Sequence, residues 1–205
     1  MTGVDLVLAT RNRKKAGEIR RLLRDLDIRI RTLDDFPGCP AVPEDGRTYE
    51  ENAVKKAVVV AGHTGQTALA DDSGLEVDAL DGAPGVRSAR YAGERADDRM
   101  NLDKLLEDLR AVDGARRQAR FVCCIALALP DGRVQTFSGT AQGTLGTEPR
   151  GSRGFGYDPI FYPRGARLTF AEMDDDDKHA ISHRGIALQA LKRYLAAKRD
   201  RAPLE

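Results

Sequence analysis

The chain lacks several features that mark whole classes of protein. Its 205 residues include no tryptophan, few other aromatic residues and a formal net charge of only +1. A protein that coats nucleic acid normally carries a clear basic excess. No uncharged apolar run approaches the ~18 residues of a membrane span, and no basic segment followed by an apolar core opens the chain. We therefore expect a cytoplasmic protein that binds neither nucleic acid nor a membrane.

Cysteine is also scarce. Cys123 and Cys124 are neighbours, Cys39 stands alone, and no C-x-x-C spacing occurs. Neighbouring cysteines rarely bridge, so this pattern predicts three reduced thiols, with Cys123 and Cys124 in an apolar strand. The chain length suits a single domain over residues 1–205, with room for two joined lobes.

Strands and helices alternate along most of the chain. Apolar spacing predicts strands at 4–9, 67–69, 75–79, 121–129 and 134–137, and helices that include residues 19–26, 102–112 and 182–195. A further helix has Thr48 as N-cap, with Glu51 reaching back in a capping box, and should end near Gly62. The turn at residues 130–132 interrupts the alternation with a hairpin. These patterns predict an α/β fold with a mixed central sheet flanked by helices.

Asp71 and Asp72 follow a short apolar strand and precede Ser73 and Gly74. Open α/β sheets bind ligands at the carboxyl ends of their strands. Carboxylates at such an end are placed to hold a hard cation or to activate water. The alternative is a solvated turn, because Asp, Ser and Gly are common turn residues.

A basic segment follows the first strand. Arg11, Arg13, Lys14 and Lys15 gather at the start of a helix, where unpaired N–H groups and the helix dipole favour anions. No P-loop pattern is present. Because cations there oppose the helix dipole, we expect an anion site, with an ordinary basic surface as the alternative.

Residues 151–159 form a glycine-rich segment that contains Phe155, Tyr157 and Asp158. The two rings could stack on a planar base, and Asp158 could accept hydrogen bonds from ring N–H groups. The alternative places both rings in the core. Downstream, His183 and Arg184 should lie in the first turn of the last helix, where they suit an anion or are simply structural.

The sequence contains three other groups of charged residues that could belong to the predicted site. Glu44 could add a carboxylate to the site, and only one of Lys55 and Lys56 should face inward, since helix neighbours point about 100° apart. The acidic run at residues 174–177 is predicted to be a solvated loop with no catalytic role, because crowded like charges resist burial.

Six motifs occur together and in order along the chain. They are Leu8-Ala9-Thr10-x-Asn12-x-x-Lys15, Glu51-Asn52-Ala53, Ala70-Asp71-Asp72-Ser73-Gly74-Leu75, Gly82-Ala83-Pro84-Gly85-Val86-x-Ser88-Ala89-Arg90-Tyr91, Gly154-Phe155-Gly156-Tyr157-Asp158-Pro159 and Ala180-Ile181-Ser182-His183-Arg184-Gly185. In this the chain resembles the inosine/xanthosine triphosphate pyrophosphatases, or dITP/XTP diphosphatases, from residue 4 to about residue 195.

The resemblance implies two lobes with a substrate cleft between them, a homodimer, and Mg²⁺-dependent hydrolysis of ITP, dITP and XTP to the monophosphate and pyrophosphate. It implies Asp72 as general base and metal ligand, with Glu44 as a second metal ligand. It implies triphosphate contacts at Thr10, Arg11, Asn12, Arg13, Lys14, Lys15 and Lys56, with Ser73 close by. It implies contacts with the base and sugar of the nucleotide at Phe155, Gly156, Tyr157, Asp158, Lys178, His183 and Arg184. The family commonly has Gly where this chain has Arg11, which would strain a loop that needed positive φ there.

Two other functions remain open from the sequence. One is a related pyrophosphatase of the Maf-like kind, acting on modified pyrimidine or ordinary nucleotides. The other is a nucleotide- or nucleic-acid-binding module without catalysis, which leaves Asp71 and Asp72 unexplained because carboxylates repel phosphate unless a cation lies between them.

Overall fold

A six-stranded sheet runs through the fold. The computed structural model describes residues 4–201. The strands are β1 (Val4–Leu8), β2 (Ile28–Thr32), β3 (Thr67–Val77), β4 (Gln118–Ala128), β5 (Val134–Leu145) and β6 (Phe161–Pro163), in the order β2-β1-β3-β4-β5-β6. β1 pairs in parallel with β2 and β3, whereas β5 and β6 are antiparallel. The predicted mixed sheet is confirmed.

Five α-helices accompany the sheet in the part of the chain that the structure describes. They are α1 (Arg13–Leu22), α2 (Tyr49–Thr64), α3 (Asp98–Asp108), α4 (Asp175–Ile181) and α5 (His183–Arg201). With the sheet they form the predicted α/β fold. None of the helices in residues 4–201 combines the length and apolar character that crossing a membrane requires.

The chain divides into two compact units. The first runs from the N-terminal strand to Asp72 and adds Cys124–Ser138 and the segment from Arg184 onward; the second comprises Ser73–Cys123 and Gly139–His183. Whether residues 1–205 work as one domain, and whether a cleft separates two lobes, stay predictions.

Each unit has its own buried apolar side chains. In the second unit they form one cluster that includes Leu105, Phe121, Phe161 and Phe170. In the first unit β1, α1, α2 and α5 contribute Val7, Ile19, Val60 and Leu188. The three cysteines, all within the described residues, form no disulfide, as predicted, and all three are buried.

Strand β3 differs from the sequence prediction. We expected a short strand that stops before Asp71, but β3 continues without a break from Thr67 to Val77. Asp71 and Asp72 therefore lie in the middle of a strand instead of at its end or in a turn. Extended backbone is tolerated there because both buried carboxylates find polar partners, which local sequence does not reveal.

Helix α2 begins as predicted and ends later. The N–H of Glu51 donates to Thr48 Oγ1 at 3.1 Å, so Thr48 is the N-cap. The Glu51 carboxylate accepts from the N–H of Arg47, one residue earlier than the capping box requires. The helix passes through Gly62 and ends at Thr64, where Gly65 takes φ +65°. Gly65, which has no Cβ to oppose a left-handed conformation, is thus the stop.

Several smaller differences have local causes. The acidic run is not a loop: Asp174 caps α4 by accepting from the N–H of Asp177, and the aspartates of its first turn favour the positive end of the helix dipole. β2 was not predicted, although alternating Ile and Arg at residues 28–31 have the two-residue period of a strand. The hairpin turn is present, with Gly132 at φ +88°, but β5 extends eight residues beyond the predicted end at 137, to 145.

Candidate active site

Asp71 is held by a cluster of cations in the first unit. Its Oδ2 lies 3.0 Å from Lys15 Nζ on α1 and 3.1 Å from Arg184 Nη2 on α5. Glu18 in turn binds the other side of the Arg184 guanidinium. Burial alone would raise the pKa of the Asp71 carboxyl, but Lys15, Arg184 and Lys56 outweigh it and hold the pKa well below its ordinary value. Asp71 is therefore a permanent anion.

The surroundings of Asp72 shift its pKa in the opposite direction, upward. Its Oδ2 accepts from Asn52 Nδ2 at 2.9 Å, and its Oδ1 lies 3.9 Å from Lys56 Nζ. Burial, assisted by the nearby charge of Glu44, raises the pKa of the Asp72 carboxyl despite these partners. A carboxylate with a raised pKa is a stronger base, which is the property that a proton acceptor needs.

Lys56 links the carboxylates. Its ammonium donates to Glu44 and to the backbone carbonyl of Asp71, the latter at 2.6 Å. Burial works against its charge, but Asp71, Asp72 and Glu44 more than compensate and raise its pKa. As predicted, one of the two adjacent lysines faces inward: Lys56 is buried, whereas Lys55 pairs with Asp45 at the surface.

Some backbone N–H groups at the start of α1, which could bind an anion, donate instead to side chains of the same segment. Asn12 is the N-cap of α1, and its Oδ1 accepts from the N–H groups of Lys14 and Lys15. Thr10 Oγ1 accepts from the N–H of Asn12 at 3.1 Å. Arg13 and Lys14 are exposed, so their side chains are the groups best placed to meet an anion here.

Arg11 does not strain this segment. Among residues 4–201, Asp81 is the one non-glycine residue with positive φ. The Arg11 guanidinium instead donates to the carbonyl of Cys39 at 3.1 Å. Replacing the family's glycine therefore adds a tether to the loop and keeps its backbone in an ordinary conformation.

A second group of polar residues lies in the second unit. Lys178 Nζ donates to Asp158 Oδ2 at 2.8 Å, and the same oxygen accepts from the N–H of Phe155. The ammonium also lies 5.4 Å from the centre of the half-buried Phe155 ring. Asp158 and Lys178 are both almost completely buried. The arrangement presents an aromatic ring beside a fixed cation.

Other residues predicted for this group have structural partners. Tyr157 is buried in the apolar cluster and donates its hydroxyl to the carbonyl of Ser88 at 2.9 Å. His183 stacks on Phe121 with 4.7 Å between ring centres. The position of Tyr157 thus agrees with the alternative that places its ring in the core, and the stacking of His183 agrees with a structural role. Gly156 takes φ +61° in the loop, and Ser73 is half-buried on β3.

The structure thus sorts the predicted residues into two sets. Lys15, Glu44, Lys56 and Asp72 gather in the first unit, as do Phe155, Asp158 and Lys178 in the second. Arg184 was grouped with the base and sugar end, but it is paired with Asp71 and Glu18. Sequence reasoning gave no role to Asn52 or Glu18, and the resemblance assigned none to Asp71, although Asn52 and Asp71 both lie in its motifs.

The first set also suits a divalent cation. No three His, Cys, Asp or Glu side chains within residues 4–201 surround one point, but Mg²⁺ typically needs only one or two carboxylates and completes its shell with water and phosphate. Glu44 and Asp72 both face the Lys56 ammonium. Two oxygen donors that already converge on a positive charge fit such an ion.

Comparison with known proteins supports the family resemblance. The model of the Ham1 family matches residues 6–194. A protein of Geobacter sulfurreducens named dITP/XTP pyrophosphatase is 53% identical over 190 residues, covering 93% of this chain and 96% of the relative. A Desulforamulus reducens protein of the same name is 52% identical over 184 residues, with 90% and 92% covered.

Solved structures agree as well. A HAM1 protein from Coxiella burnetii superposes with a TM-score of 0.86 at 45% identity, covering 95% of this chain and 99% of that one. A nucleoside-triphosphatase / dITP/XTP pyrophosphatase from Mycobacterium abscessus gives a TM-score of 0.75 at 44% identity, with 92% and 98% covered. Since the family model and these relatives span nearly the whole sequence, the chain belongs to the Ham1 family.

Proposed function

We propose that this protein hydrolyses deaminated purine nucleoside triphosphates (ITP, dITP and XTP) to the monophosphate and pyrophosphate. The observation that carries the proposal is the buried Asp72, whose pKa is raised and which lies beside the Lys56–Glu44 pair. The names of the relatives indicate which nucleotides are cleaved.

The triphosphate is assigned to the first unit. A nucleoside triphosphate carries several negative charges, and Lys15 and Lys56 supply fixed cations for them. Asp71 keeps Lys15 in place at 3.0 Å and is itself fixed by Arg184 at 3.1 Å. The exposed Arg13 and Lys14 add positive charge near the start of α1.

Asp72 is the proton acceptor in the reaction. A water molecule attacks the α-phosphorus, its proton passes to the Asp72 carboxylate, and the bond from the α-phosphorus to the bridging oxygen breaks. That oxygen leaves with pyrophosphate, and the oxygen of water stays on the monophosphate. Burial raises the pKa of Asp72 in the protein alone, and the hydrogen bond from Asn52 fixes the carboxylate that accepts the proton.

Magnesium is the cofactor we propose, held by Glu44 and Asp72. When bound, the ion neutralises charge that develops on the phosphates. The two carboxylates supply hard oxygen donors, and Asn52 fixes the orientation of one of them. Mg²⁺ is proposed on the resemblance and on this donor set.

The purine end is assigned to the second unit. The half-buried Phe155 ring offers a face for stacking, worth ~1–3 kcal/mol per base. Lys178 is fixed by Asp158 and is a donor suited to the 6-oxo group of hypoxanthine or xanthine. Adenine presents an amino group there, so a buried donor would lose its partner, which is costly.

The test is a substrate panel. Purified protein is given ITP, dITP, XTP, GTP, ATP and a pyrimidine triphosphate with Mg²⁺, and pyrophosphate and orthophosphate are measured separately. We expect pyrophosphate from ITP, dITP and XTP alone, abolished by EDTA. Pyrophosphate mainly from the pyrimidine would support the Maf-like alternative, and orthophosphate would contradict cleavage at the α–β bond.

We further propose a homodimer in the cytoplasm, on the resemblance alone. Light scattering coupled to size exclusion checks the first point: twice the mass of the 22.4 kDa chain is expected. A monomer at concentrations well above those of the assay would contradict it.

A further inference from the structure

Asn52 lies on α2 with a fully buried side chain. Its Nδ2 donates to Asp72 Oδ2 at 2.9 Å, and its Oδ1 accepts from the backbone N–H of Gly46 at 2.8 Å. A carboxylate can only accept and a backbone N–H can only donate, so these partners determine the orientation of the amide. Asn52 thus joins β3 to the segment that precedes α2.

That segment approaches Asn52 closely because residue 46 is glycine. A Cβ on Gly46 would lie 2.7 Å from Asn52 Oδ1 and 2.9 Å from Glu51 Cβ. The next N–H, that of Arg47, donates to the Glu51 carboxylate at 2.6 Å. Two successive backbone groups are therefore tied to the first turn of α2, and Glu44 lies only two residues before the first of them.

The bond from Asn52 also separates the roles of the two Asp72 oxygens. Oδ2 faces Asn52, whereas Oδ1 faces Lys56 Nζ at 3.9 Å. Asn52 and Lys56 are four residues apart and so share one face of α2. Rotation of the carboxylate would cost the bond to a buried donor, so Oδ1 stays directed at the Lys56–Glu44 pair.

We propose that Asn52 is a positioning residue: it keeps the Asp72 and Glu44 carboxylates at a fixed position relative to each other without touching a reacting atom. The proposal rests on the function proposed above. It goes beyond it by assigning the alignment of both carboxylates to one neutral side chain. Displacements near 1 Å in a catalytic group can cost about 100-fold in rate, so the loss of this alignment should appear mainly in kcat.

Asn101 provides a matched control. It is also buried, on α3 in the second unit; its Oδ1 accepts from the N–H of Ala92 at 2.8 Å and its Nδ2 donates to the carbonyl of Ala89 at 3.1 Å. Asn52→Ala and Asn101→Ala each remove one hydrogen bond accepted from a backbone N–H and one donated bond. The donated bond goes to a carboxylate at Asn52 and to a backbone carbonyl at Asn101.

The first readout is kinetic. Asn52→Ala should lower kcat for ITP about 100-fold and change KM by less than about threefold, as expected when an interaction acts in the transition state. Asn101→Ala should keep kcat within about threefold of the wild type, although both melting temperatures fall by similar amounts.

The second readout is amide hydrogen exchange, which needs no turnover. Exchange at Gly46 should become faster in Asn52→Ala, whereas exchange at Gly65, which donates to the Ala61 carbonyl at the other end of α2, should not change. Asn52→Asp separates the two tethers: it keeps an acceptor for Gly46 but loses the donor to Asp72. At alkaline pH it should leave Gly46 protected and still lose kcat.

Three results would overturn the proposal: kcat of Asn52→Ala within threefold of the wild type, an equal loss in Asn101→Ala, or unchanged exchange at Gly46 in Asn52→Ala. If Asn52→Ala does not fold, the kcat of Asn52→Asp decides by the same criterion. A wild-type protein without pyrophosphatase activity would refute the proposed function, and the exchange at Gly46 would still test the tether.

Discussion

Asp71 and Asp72 are chain neighbours with opposite electrostatics. Three cations surround Asp71 and lower its pKa, whereas burial and the charge of Glu44 raise the pKa of Asp72. A pair of groups whose environments push their pKa values apart commonly marks a division of labour in a site. In the proposed function Asp71 organises Lys15 and Arg184, and Asp72 accepts the proton.

Asp72→Asn should abolish most of the activity without weakening the fold. A general base contributes about 10²- to 10⁴-fold, so kcat for ITP should fall by that factor. Because its raised pKa makes ionised Asp72 unfavourable in the folded state, a neutral Asn should leave the free energy of unfolding unchanged or higher at neutral pH. Steady-state pyrophosphate release and urea unfolding check the two parts. A variant with more than a tenth of the wild-type kcat would contradict the assignment.

Asp71→Asn should instead weaken the fold. It leaves Lys15 and Arg184 without their buried carboxylate, and breaking a buried pair in this way costs about 3–5 kcal/mol. Its lowered pKa means that Asp71 stabilises the protein fully above its ordinary titration range and progressively less below about pH 4.

The pH dependence of the free energy of unfolding therefore checks that the pKa of Asp71 is lowered. Urea unfolding should show a large difference between wild type and Asp71→Asn at neutral pH, and the difference should narrow as the pH falls below about 4. Asp131→Asn, which removes an exposed pair with Arg133, should leave stability unchanged. An Asp71→Asn variant as stable as the wild type at neutral pH would contradict the account.

The partners of these residues could not be read from local sequence. The motif containing Asp71 and Asp72 identified the chemistry, yet the pairing of Arg184 with Asp71 joins residues 113 positions apart. Asn52 likewise reaches Asp72 across 20 positions. Type and motif indicate which residues carry chemistry, but a contact between distant residues is a property of the fold.

Two glycines near the C-terminus of α2 show what determines where a helix ends. Gly62 lies inside the helix with open space around a Cβ, and Gly65 ends it at φ +65° with equally open space. The sequence prediction placed the end of the helix near Gly62, because a glycine is the common signal for a helix end and Gly62 is the first of the two. Only the backbone conformation distinguishes them.

Alanine at the two positions should have opposite effects. Gly62→Ala should stabilise the protein by about 0.5–1 kcal/mol, since Ala restricts the unfolded chain and favours helix. Gly65→Ala should destabilise it by about 1–2 kcal/mol, because a Cβ opposes positive φ. Thermal and urea unfolding measure both. Equal shifts of the same sign would contradict the assigned end of α2.

The loop that carries Phe155 depends on a third glycine. Gly154 takes φ +71°, and a Cβ there would lie 2.1 Å from Asp158 Oδ2. Gly154→Ala should therefore displace Asp158 and its partner Lys178. The loss of one positioned hydrogen bond predicts a rise of about tenfold in KM for ITP, with less change in kcat.

Gly165→Ala is the control for that variant. Gly165 takes φ +84° with nothing within 4 Å of a Cβ, so it has the same backbone cost without the collision. Its KM should match the wild type, although its stability should fall. Equal KM values in the two variants would show that Asp158 and Lys178 do not bind the purine.

Elements with a strong period were predicted well, and those shaped by distant charges were not. The strand β1 follows directly from its apolar spacing, whereas α1 and α3 end at Leu22 and Asp108, each four residues before the end of its predicted apolar pattern. The predicted strand was shorter than β3, because two adjacent aspartates are not expected inside a buried strand unless their polar partners are known. The acidic run was read as a loop because repulsion was weighed without the favourable field of a helix N-terminus.

At the scale of the whole molecule, the candidate site residues fall into two sets, one in each compact unit. The first holds Asp71, Asp72, Glu44 and Lys56, and the second holds Phe155, Asp158 and Lys178. In the proposed function the first set acts on the phosphates common to all nucleotides, and the second reads the purine. Variants of the first should therefore lower kcat for every substrate, and variants of the second should change the ranking among them.

The most direct test is hydrolysis of ITP in water enriched in heavy oxygen, with the label measured by mass spectrometry in both products. Attack at the α-phosphorus predicts one labelled oxygen in the monophosphate and none in pyrophosphate, and the rate should collapse in Asp72→Asn. Label in pyrophosphate, or a diphosphate and orthophosphate as products, would contradict the central claim that Asp72 directs water to the α-phosphorus.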